Sequence, residues 1–492
     1  MSLVVLAGCG TLNREQVGGK AWGVDRMLAM GLPVPPAFVL TTDECRRFRD
    51  NGDALDEAAI TALTTGLTEL QERTGRRLGD PTAPLLVSVR SGAARSMPGM
   101  MDTILNLGMT PDVQRAIAER SGDPGYAADL TRRLHEQFER VVGTPAPQDP
   151  VDQLRAAAAA VLGSWMSERA VAYRRHHGIA DDPGTAVTVQ AMVFGNLDAN
   201  SGTGVLFTRN PLTGEAVPYG QWLPGGQGED VVSGRFDALP LSELERTLPA
   251  VHAELLACAA RLEASTGDVQ DIEYTVESGR LFLLQTRAAK RSPDAAVRIA
   301  VEMCEAGRID RTEALRRVTP GQVDIVLRPR VEPAARAVAV LLATGEPACP
   351  GIGQGLVVAS CEAAEDLADT GGSPVLARPT TDPDDVAGML VSTAIVTEIG
   401  GATSHAAVVS RELGTPCVVG TGSGVVAKLT GRQVTVDGTT GEVFEGILPL
   451  VEGSADDPAL RKLLAWAGEV AGATGLPPEV LRAAQAALEG DR

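Results

Sequence analysis

Aromatic side chains are scarce in this chain of 492 residues: Phe, Trp and Tyr make up 3% of it, against 44% hydrophobic residues overall. That apolar content supports real cores, built mostly from aliphatic and small side chains. Basic residues are also short, with 44 Lys and Arg against 63 Asp and Glu and a formal net charge of -19. Such a balance argues against a nucleic acid or an anionic membrane as partner. The seven cysteines (Cys9, Cys45, Cys258, Cys304, Cys349, Cys361, Cys417) are odd in number, scattered and without CxxC spacing. They give no zinc signal and suit reduced thiols in a cytoplasm. No apolar run is long enough to span a bilayer. Leu6-Ala-Gly-Cys9 imitates a lipoprotein cleavage box, but the short segment before it holds no Lys or Arg, so residues 3–6 read as a first strand. P-loop spacing and internal repeats are missing too. The length leaves room for about two to four domains.

What is present is concentrated in Thr397-Glu-Ile-Gly-Gly-Ala-Thr-Ser-His405-Ala-Ala-Val-Val-Ser-Arg411-Glu-Leu-Gly414. The apolar run 394–396 predicts a short buried strand. Gly400-Gly401 allows a sharp turn and a close approach to a ligand. Thr403 or Ser404 can cap a helix whose first turn carries His405, and Gly414 suits its end. A helix N-terminus disfavours the imidazolium and would hold an anion placed on the ring. A neutral imidazole there is a nucleophile able to take up and give away a phosphoryl group, although a single His is more often structural. The whole stretch resembles the phosphohistidine motif TxxGGxTSHAAxxxR of the pyruvate phosphate dikinase and phosphoenolpyruvate synthase families.

Other segments carry the same resemblance. Val17-Gly-Gly-Lys20 opens a helix that runs to Met30, followed by Gly31-Leu-Pro-Val-Pro-Pro36. Glycine beside lysine at a helix start is compatible with a phosphate site or with an ordinary exposed Lys. In the family the lysine matching Lys20 contacts ATP phosphates. A buried strand then delivers Arg90 to the loop Ser91-Gly-Ala-Ala-Arg-Ser-Met-Pro-Gly99-Met-Met-Asp102. Arg suits bidentate phosphate contacts. The sequence of this loop resembles the pyruvate phosphate dikinase signature, which implies that Arg90 binds nucleotide phosphates and Gly99 lies over them. Ser201-Gly-Thr203-Gly204 reads as a turn, and the resemblance implies that Thr203 and Gly204 face the nucleotide. The segment 227–234 matches the family as core or rim of the nucleotide domain.

Residues 268–287 read as a hairpin. Asp271 and Glu273 are two apart and share one face of a strand; Gln285 and Arg287 do so on the returning strand. Two acids and an amide oxygen can hold Mg²⁺ beside phosphates, and an Arg can stabilise their charge. An alternating polar hairpin is the plainer reading. The spacing reproduces the family's DxE…QTR motif, whose positions bind ATP and its magnesium, with Glu273 and Gln285 as metal ligands.

The resemblance implies an α/β (α+β) chain: an ATP-grasp-like nucleotide-binding domain at 1–290, a helical connector at 291–345, a swivelling phosphohistidine domain at 346–450 and a helical tail at 451–492. It further implies that ATP and inorganic phosphate phosphorylate His405, yielding AMP and pyrophosphate, in a cytoplasmic enzyme. A pyruvate-binding barrel needs about 250 residues, more than remain after residue 450. The expected acceptor is therefore bound by a separate protein, either such a barrel or another acceptor enzyme. A small-molecule phosphotransferase of the phosphoenolpyruvate synthase or rifampin phosphotransferase type, and a non-catalytic regulatory homologue, are the alternatives.

Overall fold

The computed structural model describes residues 3–490 apart from 96, 98–101, 177, 182, 232–237, 328–329, 452–456 and 473–474. Many helices begin with Pro in the first turn, preceded by an Asp or Ser that caps the free N–H groups. Asp123, Asp149, Ser292 and Asp457 do this. No helix among the described residues is long and apolar enough to cross a membrane.

Two five-stranded sheets occupy residues 3–288. In the first the lateral order is Leu3–Leu6, Ala37–Leu40, Ala186–Ala191, Val87–Gly92, Thr103–Leu107, every neighbour antiparallel. In the second it is Leu239–Pro240, Tyr219–Pro224, Gly202–Phe207, Gln270–Glu277, Arg280–Ala288, again antiparallel throughout. The first helix, Arg14–Ala29, touches both sheets and so joins them.

The segment Ser201–Gly204, expected as a turn, is instead the start of the strand Gly202–Phe207 in the middle of the second sheet. Its glycines answer to aromatics, not to a bend. The Trp222 and Tyr274 rings stack at 6.1 Å and lie flat over this strand. A Cβ on Gly202 would come within 2.1 Å of Trp222, and one on Gly204 within 2.3 Å of Tyr274.

The third sheet has eight strands. Its centre is a parallel run of Ile352–Val358, Pro374–Arg378, Ala394–Thr397 and Cys417–Val419. The helices Cys361–Asp369, Val386–Val391 and His405–Leu413 lie in the connections between these strands, as parallel pairing requires.

Three connector helices, Pro293–Glu305, Arg311–Arg317 and Pro320–Val326, share one apolar core with the last two, Pro458–Ala471 and Pro477–Gly490. Val301, Leu315, Val323, Leu463 and Leu481 meet there. The C-terminal helices therefore close a bundle rather than trail from the molecule. Between the two parts of this bundle the chain leaves and returns through a two-stranded ribbon, Arg330–Val331 against Leu450–Val451. The third sheet is mounted on that ribbon.

Candidate active site

The hairpin Gln270–Glu277 and Arg280–Ala288 places Asp271 opposite Arg287 and Glu273 opposite Gln285. Arg287 Nε donates to Asp271 at 2.7 Å. Arg90 Nη2, from the neighbouring sheet, donates to Glu273 at 3.1 Å. Burial works against the Glu273 carboxylate, but Arg90, Arg287 and Lys20 outweigh it and hold its carboxyl below the usual range. Asp271 in turn pushes Arg287 further up. Gln285 is buried, and its Oε1 has no hydrogen-bond partner among the described residues.

Lys20 reaches this group through a break in its helix. Asn13 caps a first turn, Gly18 departs from helical geometry with φ of 76°, and Gly19 N–H donates to the Ala93 carbonyl at 2.9 Å. A Cβ on Gly18 would lie 2.0 Å from the Gly92 carbonyl oxygen. Only glycine lets the helix approach the end of the Arg90 strand this closely.

His405 is the first residue of its helix, and Ser404 is the N-cap. The strand Ala394–Thr397 feeds the loop before it, and Thr381 follows the parallel neighbour Pro374–Arg378. Thr381 Oγ1 and His405 Nδ1 are 3.2 Å apart. His405 Nε2 is buried and has no partner among the described residues. Burial pushes the imidazole pKa down, while Asp382 and Asp385 pull the other way. Gly401 does approach something closely, but that something is the Gln221 side chain, 2.1 Å from where its Cβ would be.

These elements share one cavity of about 1000 Å³, in which Lys20, Arg90, Glu273, Gln285 and Arg287 line one side and Thr381 and His405 another. Its described lining carries nine Lys or Arg side chains against six Asp or Glu, an excess of positive charge inside a chain of net charge -19. That polarity suits a polyphosphate.

Two models of known protein families match parts of this chain. The family model of the pyruvate phosphate dikinase AMP/ATP-binding domain matches residues 55–241, and that of the PEP-utilising enzyme mobile domain matches residues 372–441. The pyruvate, phosphate dikinase of Rhizobium meliloti is 38% identical over 92% of this chain and 58% of its own length. That of Clostridium symbiosum is 35% identical over 97% and 62%, and pyruvate, phosphate dikinase 2 of Zea mays 40% over 89% and 56%. The chain carries both of these family domains and is homologous to pyruvate, phosphate dikinases over most of its length. It spans about three fifths of the length of these curated relatives.

Not every residue expected from the dikinase resemblance reaches the cavity. Thr203 is buried in its strand, with Oγ1 donating to the Tyr274 carbonyl at 3.0 Å, and Gly204 packs beneath the Tyr274 ring; neither lines the cavity. Asp271 stands behind Arg287. Gly99 lies outside the described residues, as does the end of the segment 227–234. Thr381 was not foreseen: it belongs to Arg378-Pro-Thr-Thr-Asp382, and only the lateral order of the parallel strands brings that loop beside His405. No cluster of three or more His, Cys, Asp or Glu placed to hold a metal occurs among the described residues.

Proposed function

We propose that this dikinase-family chain is a phosphotransferase that autophosphorylates His405 from ATP and inorganic phosphate. The observation that carries the reading is the placement of His405, with a buried and unpartnered Nε2, on the same cavity as Lys20, Arg90, Gln285 and Arg287. In the productive tautomer Nδ1–H donates to Thr381 Oγ1, leaving the Nε2 lone pair for attack. Nε2 bonds to the β-phosphorus, the bridging bond to the α-phosphate breaks and AMP leaves. The γ-phosphoryl group passes to inorganic phosphate as pyrophosphate, and the β-phosphoryl stays on Nε2. Lys20, Arg90 and Arg287 position and neutralise the chain of phosphates, the main protein contribution in phosphoryl transfer.

A magnesium ion suits the same site. The orphaned Gln285 Oε1 and the Glu273 carboxylate would hold it beside the phosphates. When bound there, a magnesium ion would neutralise charge on the triphosphate. Residues 1–290 act as the nucleotide-binding domain and 346–450 as the mobile one; 291–345 and 451–492 form the platform between them. A ribbon-mounted mobile domain needs a second station, and we infer that its acceptor is bound by a separate protein, either a pyruvate-binding barrel or another acceptor enzyme.

The test is labelling with Mg-ATP. With β-labelled ATP and phosphate, the protein should gain an acid-labile, alkali-stable label that His405→Ala lacks, and γ-label should appear in pyrophosphate. Equal labelling of the mutant overturns the reading. Release of γ-label only as free phosphate, unaffected by added phosphate, would assign water as the γ-acceptor.

A further inference from the structure

His405 and Glu412 are seven residues apart on one helix, so they share a face about 10 Å apart along its axis. Val408, on the same stripe, lines the cavity with His405. This stripe faces the nucleotide-binding part at both ends. At its start, His405 looks onto the cavity. At its end, Glu412 Oε1 accepts from Tyr173 Oη at 2.9 Å and from Lys290 Nζ at 2.8 Å. Tyr173 comes from the helix Glu168–His176. Lys290 lies two residues beyond the strand that carries Gln285 and Arg287. Both donors thus stand across the interface from Glu412, and the carboxylate is only 14% exposed.

Contacts at the His405 end, such as Thr403 with Gln221 and Tyr219 with Glu346, hold the loops around the helix start. One anchored end leaves a helix free to pivot; a second anchor two turns away fixes its direction. A carboxylate gripped by an ammonium and a phenol is a directional anchor.

We propose that Glu412 is a positioning residue whose grip by Tyr173 and Lys290 aims His405 Nε2 into the nucleotide cavity. It touches no reacting atom. The proposal rests on the reading of His405 as phosphoryl carrier, since aiming matters only if that nitrogen reacts. A displacement of about 1 Å at a reacting atom costs on the order of a hundredfold in rate.

Three measurements on the full chain test it. In Glu412→Ala and Lys290→Ala, labelling of His405 by Mg-ATP should fall about ten- to a hundredfold. Labelling by phosphoramidate, a small donor that needs no nucleotide site, should not fall. Carbethoxylation of His405 by diethyl pyrocarbonate, followed by peptide mass spectrometry, should become faster because Nε2 is uncovered when the grip is lost. The charge swap Glu412→Lys with Lys290→Glu should restore part of both effects. Unchanged ATP labelling, unchanged carbethoxylation, or an equal loss of phosphoramidate labelling would each overturn the proposal. Failure of the wild-type chain to label with ATP would sink the proposed function instead, and carbethoxylation would still decide the grip.

Discussion

The proposed role of His405 needs a neutral imidazole, and burial favours that form. Burial is the largest influence and lowers the pKa, with Asp382 and Asp385 opposing it. An ordinary His titrates near about 6.5. The folded value therefore lies lower, and the unfolded chain takes up a proton first as pH falls. This group's contribution to stability is full above the unfolded value and is lost below it. An NMR titration of the His405 ring should give a midpoint below about 6.5, and Asp382→Asn should lower it further by removing a charge that favours the imidazolium. A midpoint at or above the ordinary value would show that the ring is more exposed than its surroundings here require.

At the scale of elements, glycine decides how closely parts approach, and its meaning was only partly legible in the sequence. The strand before His405, its helix, and the hairpin with the two acids were readable because apolar runs, caps and alternation are local signals. Ser201–Gly204 was misread because two glycines beneath a Trp–Tyr stack look like the glycines of a turn. Thr381 was missed because strand order is not a local property. Gly18 and Gly31 separate conformation from contact. Both have positive φ, but Gly31 has nothing within 4 Å of its would-be Cβ, whereas Gly18 meets the Gly92 carbonyl at 2.0 Å. Gly31→Ala should cost roughly 1 kcal/mol in denaturant unfolding from backbone strain alone. Gly18→Ala should cost several times that and weaken nucleotide binding in a calorimetric titration, because Lys20 moves with its helix. Equal costs for the two would mean that the close approach is not what Gly18 is for.

The whole molecule is a nucleotide-binding half and a ribbon-mounted half that meet over one cationic cavity, with a five-helix platform beneath the ribbon. The two family domains were legible from motifs, but the platform was not, because its two parts lie far apart in sequence, at residues 293–326 and 458–490. The last helices are tied in by more than apolar contact: Gln485 Nε2 donates to the Leu315 and Val318 carbonyls at 2.7 and 2.9 Å. Leu463 and Leu481 are fully buried in the shared core. Leu463→Ala should therefore destabilise the chain by about 2–5 kcal/mol, the range for truncating a buried Leu, in chemical denaturation. A substitution on a dispensable tail would cost less than about 0.5 kcal/mol, so the two accounts are well separated. The effect should also reach the site. The platform sets where the ribbon starts, so loosening it should raise carbethoxylation of His405, whereas Leu476→Ala, at a position 66% exposed, should leave both stability and His405 protection unchanged.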